Sequence, residues 1–335
     1  MNNDELILNI ENLTVYYELE EETVKAVNNF SLTLEKGKTI ALVGETGAGK
    51  TTTALSLMRL VQSPPGVIKS GSIEVCGHDM LAITPRQLES IRGSDISMIF
   101  QDPMTSLNPV FTVADQIAEG LQLHEDLTKA EAHEKALDML ELVGISRSRG
   151  SDYPHQFSGG MRQRVGIAIA LACNPKLLIA DEPTTALDVT IQAQVLDLMK
   201  NLIEKFQMSV ILITHDLGIV AEICDEVAVM YAGRVVEQGS LEEVFNHTLH
   251  PYTEGLFNSL PNVHRRNEEL KPIPGLMPDP TDLPPGCPFS PRCSYASEAC
   301  SQIEPTLKLF DGTHKAACIA YDREGFHIER GHTNG

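Results

Sequence analysis

A glycine-rich stretch between two regular elements constrains this chain most strongly. The run Gly44-Glu45-Thr46-Gly47-Ala48-Gly49-Lys50-Thr51-Thr52 follows a strand-like segment, residues 39–43, and opens a helix-compatible one, residues 53–60. Glycines there let backbone N–H groups approach phosphate oxygens that a Cβ would obstruct, and a helix N-terminus adds a positive dipole end. In this pattern Lys50 reaches the β and γ phosphates and the Thr51 hydroxyl coordinates Mg²⁺. The sequence therefore predicts a phosphate-binding loop.

Length and composition limit the possible functions. At 335 residues the chain has room for about two domains. Its formal net charge of −20 argues against nucleic acid or anionic lipid as the main partner, because such binding uses clustered Lys and Arg. Its apolar runs fall far short of the ~18 to 20 residues of a membrane-spanning helix, and its first residues do not resemble a secretion signal. We therefore expect a cytosolic protein.

Residues 6–43 alternate short β-favouring runs with polar turns. The runs are Leu6–Leu8, Leu13–Tyr17, Val24–Val27 and Phe30–Leu34. They predict a small antiparallel sheet. From Asp102 to about Pro154 the apolar spacing becomes helical, with Thr112 as a cap and a capping box that begins at Thr128. This segment is predicted to be a helical insertion.

Strands and helices alternate again after the insertion. Near-continuous apolar runs at 177–180, 210–213 and 227–230 are separated by helix-compatible segments at 160–173, 188–205 and 217–223. Such runs predict a parallel sheet covered on both faces. After a capping box at Ser240, eight prolines between residues 272 and 291 exclude long regular elements. The last 90 or so residues are therefore expected to form an appendage.

Two further segments carry residues suited to nucleotide chemistry. Asp181 and Glu182 end a buried strand, where Asp181 can hold Mg²⁺ and Glu182 can polarise an attacking water. Ser158-Gly159-Gly160 precedes another helical pattern and predicts a second anion-binding helix start. Two such starts suggest either two nucleotides or one nucleotide shared between two subunits.

These motifs occur in the order of a known family. The loop Gly44–Thr51, Gln101 after a strand, Ser158-Gly159-Gly160-Met161-Arg162-Gln163-Arg164, Asp181-Glu182, Ala186-Leu187-Asp188 and His215 resemble an ABC transporter ATP-binding subunit, over residues 6 to about 245. The resemblance implies an α/β phosphate-loop ABC ATPase core, in which a parallel sheet is joined by an N-terminal antiparallel β-subdomain and a helical insertion. A small irregular proline-rich C-terminal domain follows. The implied domains are the core in 1–102 and 158–245, a permease-contacting helical subdomain in 103–157, and a C-terminal extension in 246–335.

The resemblance also implies how ATP is bound. Two such subunits sandwich two ATP molecules head to tail, and each γ-phosphate lies between one phosphate loop and the partner's counterpart of Ser158. Tyr17 stacks on adenine, with Tyr16 as the alternative because strand register decides which ring faces the nucleotide. Glu182 orients the water, while His215 contacts the γ-phosphate and the partner's Asp188 region. An active hydrolase is expected, since both Glu182 and His215 are present.

The residues expected in the site have three roles: catalysis, ATP binding and Mg²⁺ binding. The implied catalytic residues are Glu182 and His215. The residues expected to bind ATP are Tyr17, Gly44, Glu45, Thr46, Gly47, Ala48, Gly49, Lys50, Thr51, Thr52, Gln101, Ser158, Gly159, Gly160 and Asp188. The residues expected to hold Mg²⁺ are Thr51, Gln101 and Asp181.

Four of the seven cysteines lie within 32 residues of the appendage. Cys287, Cys293, Cys300 and Cys318 have the spacing Cys-x5-Cys-x6-Cys-x17-Cys. Reducing conditions favour metal over disulfides, and composition alone leaves an iron–sulfur cluster, zinc and free thiols open. His250-Pro251-Tyr252-Thr253, Ile273-Pro274-Gly275 and the run 287–293 resemble the C-terminal extension of peptide-type ABC importers. That resemblance implies a [4Fe–4S] cluster, with zinc as the alternative.

The implied function is ATP-driven import of di- or oligopeptides, from the cytoplasmic face of the membrane. The expected partners are two integral-membrane permease subunits, a second ABC ATPase subunit in a heterodimer, and an extracytoplasmic peptide-binding protein, without nucleic acid. Three alternatives stay open. They are import of nickel or another small solute, a soluble ABC ATPase acting in DNA repair or on ribosomes, and an interaction protein without hydrolysis.

Overall fold

The computed structural model describes residues 5–102, 106–185, 187–259 and 272–328. They fall into two compact units, the first within 1–9, 33–39 and 73–219 and the second within 10–32, 40–72 and 220–335. This division follows packing, so the functional domains expected from the sequence stay a prediction. Ala186, one residue of the family motifs, lies outside the described residues, as do residues 103–105 of the expected helical subdomain.

Strands and helices alternate through most of the chain. The strands are β1 Leu6–Glu18, β2 Thr23–Glu35, β3 Thr39–Val43, β4 Gly66–Val75, β5 His78–Asp79, β6 Ile96–Ile99, β7 Leu177–Asp181, β8 Ser209–Ile213, β9 Glu226–Tyr231, β10 Arg234–Ser240, β11 Lys308–Asp311 and β12 His314–Ala316. The helices are α1 Lys50–Leu57, α2 Pro85–Ile91, α3 Val113–His124, α4 Lys129–Leu142, α5 Gly159–Leu171, α6 Val189–Phe206, α7 Leu217–Ile223, α8 Leu241–Asn246 and α9 Pro251–Asn258. Within the described ranges, every helix is too short or too polar to cross a bilayer.

The first unit is built on three parallel strands. β6 pairs with β7 and β7 with β8, so that Ile96 lies opposite Leu177 and Leu177 opposite Ser209. β7 and β8 are buried along their full length, as their continuous apolar sequences predict. Helix α5 packs on β6 and against α6. The carboxyl ends of the three strands therefore meet at one edge of the sheet.

The helical segment begins where the sequence predicts. Thr112 caps α3 by accepting a hydrogen bond from the N–H of Asp115 at 3.2 Å. Thr128 and Glu131 form the predicted capping box at the start of α4. α3 and α4 pack against each other and against α5. These contacts confirm the predicted caps and the helical character of the insertion.

The N-terminal strands are longer than the sequence predicts. The four expected short strands are two strands of 13 residues each, β1 and β2. Asn12 and Asn29, in the polar stretches, have φ values of 51° and 52°. Their N–H groups donate to hydroxyls of the neighbouring strand, Ser31 at 2.9 Å and Thr14 at 3.2 Å. Both strands therefore continue through these asparagines, because the hydroxyls satisfy their N–H groups.

The second unit contains both parallel and antiparallel pairs. β3 and β9 are parallel, whereas β9 with β10, β10 with β12 and β12 with β11 are antiparallel. Most of the described C-terminal extension is irregular, as predicted. However, β11 and β12 pair with each other, and β12 adds to β10 with Ala316 opposite Glu237. The sequence pattern did not indicate these two short strands.

Buried polar groups join this added strand to the start of α9. The carboxylate of Glu237 is fully buried and accepts the backbone N–H groups of Leu249 at 2.7 Å and His250 at 2.9 Å. Its Oε1 atom also lies 2.8 Å from Nε2 of buried His314. The Nδ1 atom of His250 accepts the N–H of Tyr252 at 3.0 Å and so caps α9. The extension is therefore attached through satisfied buried polar groups rather than through apolar packing alone.

His250 makes stability depend on pH. Burial lowers the pKa of His250 from 6.5 to about 3, although a hydrogen bond to the backbone of Ala317 opposes the shift. The unfolded chain therefore binds a proton that the folded chain excludes, and stability falls as the pH drops from about 6.5 towards about 3. We expect this group to contribute up to about 1.4 kcal/mol per pH unit. His250→Gln, which keeps an acceptor and a donor, should remove that part of the slope.

Urea unfolding from about pH 7 to about pH 5 measures this slope. The matched control is His247→Gln, because His247 is exposed. Equal pH slopes for the wild-type chain and His250→Gln would contradict the expectation.

Candidate nucleotide-binding and catalytic site

Three residues predicted from the sequence lie just beyond the ends of the parallel strands in the first unit. Gln101 follows β6, Glu182 follows β7 and His215 follows β8. Neighbouring parallel strands bring their carboxyl ends together, and these side chains meet there. The Nε2 atom of Gln101 donates to Oε2 of Glu182 at 3.1 Å, and Nδ1 of His215 lies 3.3 Å from Oε1. The structure therefore brings the predicted acid, amide and imidazole into one group.

The backbone at Glu182 has an uncommon conformation. Its φ is 46°, in the left-handed region, and its N–H donates to the carbonyl of Ile213 at 2.8 Å. The hydroxyl of Thr185 donates to the Glu182 carboxylate at 2.8 Å. Asp181, the residue before it, is almost fully buried at 2% exposure. These contacts hold the Glu182 carboxylate as a hydrogen-bond acceptor beside Gln101 and His215.

Ser158 and Asp188 begin two neighbouring helices of the first unit. Ser158 caps α5 by accepting the N–H of Met161 at 3.4 Å, and Asp188 caps α6 by accepting the N–H of Ile191 at 3.0 Å. A Cβ at Gly160 would lie 2.3 Å from Cγ2 of Ile191, so the two helix starts pack too closely for any larger residue. Ser158, Gly159 and Asp188 are exposed. Both caps can therefore meet a partner molecule.

The phosphate loop lies in the second unit, between β3 and α1. Gly49, the residue before α1, has a φ of 99°. A Cβ at Gly49 would lie 2.4 Å from the carbonyl oxygen of Ala26, so only glycine fits. The carbonyl of Ala48 accepts the N–H of Gly233 at 2.9 Å. The turn after β9 therefore supports the loop directly.

Lys50 folds back across the loop. Its Nζ atom donates to the carbonyls of Gly44 at 2.6 Å and Glu45 at 3.0 Å. The residue is only 7% exposed. This places the ammonium group at the two carbonyls that open the loop.

Tyr17 also reaches this region. Its hydroxyl lies 3.4 Å from Oγ1 of Thr52, while Thr46, Gly47 and Thr51 are exposed. The structure therefore places Tyr17 next to the start of α1. Its stacking on adenine stays a prediction.

Side chains of the C-terminal extension hold Glu45, and the sequence analysis did not identify them. Arg292 donates to both carboxylate oxygens of Glu45, at 2.9 and 3.1 Å. The hydroxyl of Tyr252 accepts the N–H of Glu45 at 2.9 Å. Thr185 beside Glu182 was missed as well. The available signals were weak: Arg292 lies directly before Cys293, and Thr185 lies three residues after Glu182.

The four cysteines of the extension form one electrostatic group. Burial raises the pKa of Cys287, and it raises the pKa of Cys293 to about 12 and of Cys318 to about 11. Coulombic interaction with neighbouring cysteines, Cys300 included, raises each of these pKa values further. The four sulfur atoms are therefore within electrostatic reach of one another.

Each cysteine sulfur also accepts a backbone hydrogen bond. The N–H groups of Phe289, Tyr295 and Ala320, each two residues further on, donate to Cys287, Cys293 and Cys318. The N–H of Ser297 donates to Sγ of Cys300 at 3.4 Å. Across the described ranges, no group of three or more His, Cys, Asp or Glu side chains is arranged to hold a metal ion.

Comparison with known proteins decides the family. The profile of the ABC transporter family matches residues 27–185. The oligopeptide transport ATP-binding protein AppD of Bacillus subtilis (strain 168) is 50% identical over 321 residues, covering 95% of this chain and 98% of that protein. The chain belongs to the ABC transporter family. ATP and Mg²⁺ are accordingly the cofactors expected of this ABC ATPase.

Other ABC proteins extend the comparison. The dipeptide transport ATP-binding protein DppD of Bacillus subtilis (strain 168) is 47% identical over 325 residues, covering 96% of this chain and 97% of that protein. The profile of the oligopeptide/dipeptide transporter C-terminal region matches residues 236–300. The ATP-binding cassette MJ0796, solved as a post-hydrolysis dimer bound to ADP and Pi, is 27% identical with a TM-score of 0.63, covering 70% of this chain and 98% of that chain. These similarities confirm the predicted ABC ATPase fold.

Gly49→Ala tests the geometry of the phosphate loop. The positive φ and the contact with the Ala26 carbonyl oppose any Cβ, so we expect a loss of about 2 kcal/mol or more in the free energy of unfolding. ATP binding should be lost with it. Gly166→Ala in α5 is the control, because a Cβ there meets nothing within 4 Å. It should stabilise the chain by about 0.5–1 kcal/mol.

Urea unfolding and titration with ATP measure the two effects. If Gly49→Ala has the same stability and ATP affinity as the wild-type chain, this description of the loop is contradicted.

Proposed function

We propose that this chain is the ATP-hydrolysing subunit of an ABC importer of di- or oligopeptides. The observation that carries the proposal is the match of residues 236–300 to the oligopeptide/dipeptide transporter C-terminal region, in a chain that also has the ABC phosphate loop. The relatives AppD and DppD, named as oligopeptide and dipeptide transport ATP-binding proteins, match along nearly the whole chain. No comparable similarity supports the alternative of a soluble ABC ATPase that acts in DNA repair or on ribosomes.

The proposed roles follow the chemistry of each group. Lys50 and the backbone N–H groups of residues 44–52 bind the ATP phosphates, and Tyr17 packs against adenine. The Glu182 carboxylate accepts a hydrogen bond from the attacking water and orients it towards the γ-phosphate. Gln101 contacts that carboxylate, and His215 binds the γ-phosphate oxygens as charge shifts onto the leaving ADP.

The residues proposed to hold Mg²⁺ have suitable chemistry. Thr51, Gln101 and Asp181 offer hydroxyl, amide and carboxylate oxygens, which are the ligands that Mg²⁺ prefers. When bound, the ion offsets the negative charge of the phosphates.

A second ABC subunit completes the proposed site. The exposed helix caps Ser158 and Asp188, together with Gly159 and Gly160, would contact the nucleotide held by the partner. The similar cassette MJ0796 was solved as a dimer with ADP and Pi, which supports an arrangement of two subunits. We propose a heterodimer with a second ABC ATPase subunit.

The remaining partners lie in the membrane and beyond it. The helical subdomain, residues 103–157, would dock on two permease subunits, with this chain peripheral at the cytoplasmic face. An extracytoplasmic peptide-binding protein would deliver the solute. Substrate then crosses the membrane through the permeases without touching this chain.

Glu182→Gln tests the proposed activity in the transporter reconstituted in liposomes. Removing the carboxylate should lower ATP hydrolysis and peptide uptake together, by about 100-fold or more, since a positioned base contributes that much. ATP binding should persist, because phosphate contacts come from the loop. Glu204→Gln, at an exposed carboxylate of α6, is the control and should leave both rates unchanged.

Three outcomes would contradict the proposal. Unchanged hydrolysis in Glu182→Gln would exclude the catalytic role. Uptake of nickel but not of peptides would replace the substrate class. Co-purification with ribosomes or nucleic acid, without permeases, would replace transport by a soluble function.

We also propose that the four cysteines hold a [4Fe–4S] cluster. The proposal rests on the grouping of these cysteines: their sulfurs lie within electrostatic reach of one another, and Sγ of Cys300 accepts the backbone N–H of Ser297. Zinc is the alternative occupant of the same four cysteines. Four thiolate ligands leave no open iron position, so the cluster would serve structure or redox sensing.

Iron and acid-labile sulfide in the anaerobically purified chain test the cluster. We expect about four of each per chain, and Cys293→Ser should lower both sharply. Cys173→Ser is the control, because the Cys173 thiol contacts the carbonyl of Gly120 outside this group. Stoichiometric zinc with no iron would contradict the cluster.

A further inference from the structure

The C-terminal extension contacts the phosphate loop at Glu45, the second residue of that loop. The Nη1 atom of Arg292 donates to Oε2 of Glu45 at 2.9 Å, and Nη2 donates to Oε1 at 3.1 Å. The Arg292 side chain is only 7% exposed and that of Glu45 is 29% exposed. A bidentate, largely buried ion pair of this kind is strong and directional. It fixes the orientation of Glu45 as well as its charge.

Arg292 is itself held by further groups of the second unit. Its Nε atom donates to the carbonyl of Pro274 at 2.8 Å, and Nη1 also donates to the hydroxyl of Tyr231 at 3.3 Å. The guanidinium carbon lies 5.9 Å from the centre of the Tyr231 ring. The guanidinium plane is therefore fixed along its whole edge, which a lysine ammonium would not reproduce.

An aromatic cluster, Tyr231, Tyr252 and Phe289, lies against the same residue. Its ring centres are 4.6, 5.2 and 5.4 Å apart, and both tyrosines are fully buried. Through Tyr252 the cluster accepts the backbone N–H of Glu45 at 2.9 Å. Glu45 is therefore fixed through its main chain and its side chain at once.

The extension reaches the loop at a second point. A Cβ at Gly47 would lie 2.9 Å from Cε of Met277, so Met277 is close to the loop tip. The carbonyl of Pro280 accepts the N–H of Lys25 at 2.9 Å. These contacts belong to a segment separate from the one that carries Arg292.

We propose that Arg292 is a positioning residue for ATP binding, and that the C-terminal extension is thereby part of the nucleotide site. The carbonyl of Glu45 accepts Nζ of Lys50 at 3.0 Å, so the orientation of Glu45 influences where that ammonium lies. Arg292 acts on the phosphates through Glu45 and Lys50 without touching them. The inference rests on the proposed function only in that the loop binds ATP.

Simple electrostatics makes a different prediction for Glu45. A carboxylate near the phosphates repels them, so the field of the protein alone predicts that Glu45→Gln binds ATP more tightly. If Arg292 instead holds Glu45 in the orientation that favours ATP binding, the same variant binds ATP more weakly. The neutral substitution at Glu45 therefore separates positioning from charge, whereas a substitution at Arg292 alone does not.

The experiment titrates ATP into the purified full-length chain and into Arg292→Gln, Glu45→Gln and the double variant. We expect each single variant to raise the dissociation constant for ATP about tenfold, a common size for coupling between sites. The double variant should match the single ones, because the two side chains act as one unit. Lys308→Gln, which breaks the ion pair with Asp322 inside the extension, removes the same charge and should bind ATP like the wild-type chain.

Arg292→Lys covers the case in which Arg292→Gln does not fold. It keeps the positive charge but loses the bidentate geometry, and it should raise the dissociation constant for ATP about threefold. A wild-type chain that binds no ATP would contradict the proposed function. A wild-type chain that binds ATP, with unchanged or tighter binding in Glu45→Gln, would overturn this inference alone.

Discussion

The phosphate loop keeps its shape through the contacts that the rest of the second unit makes with it. A loop that offers its N–H groups to phosphate must be shaped through its carbonyls, its glycines and its side chains. Lys50 bonds the carbonyls of Gly44 and Glu45, and the turn after β9 donates to Ala48. Arg292 and Tyr252 then fix Glu45 from the C-terminal extension. These contacts come from segments far apart in sequence, so the loop acquires its shape only in the folded unit.

The first unit places an acidic side chain, that of Glu182, at the edge of a parallel sheet. Parallel pairing of β6, β7 and β8 brings three chain turns to one edge, and each turn supplies one polar side chain. The left-handed backbone at Glu182 is held by the bond from its N–H to Ile213 and by the contacts of its carboxylate. Residues held in this way commonly serve a function. The parallel sheet therefore acts as a rigid support for the proposed hydrolytic chemistry.

The sequence predicted those parts of the fold whose cause is local. Thr112, Thr128 and Ser240 mark helix starts because their caps depend on the next three residues. Gln101 and His215 were identified through the resemblance to the ABC family, and the pairing of the parallel strands shows why they meet at Glu182. The strand prediction was wrong at Asn12 and Asn29, because a strand can continue through a polar residue whose N–H group is satisfied by the neighbouring strand. No local pattern showed this.

Contacts at long range were beyond prediction from the sequence. Glu45 and Arg292 are 247 positions apart, and the motif around Arg292 drew attention to its cysteines rather than to its charge. β11 is exposed along its whole length, so it lacks the alternation that indicates a strand. Such features arise when one segment folds against another. Only the structure shows them.

The central claim is that the C-terminal extension shapes the phosphate loop. Hydrogen–deuterium exchange of the 44–52 segment tests it most directly, because amide exchange reports local opening in the absence of any nucleotide. The account predicts faster exchange of that segment in Arg292→Gln than in the wild-type chain or in Lys308→Gln. Faster exchange confined to the extension, with the 44–52 segment unchanged, would contradict it.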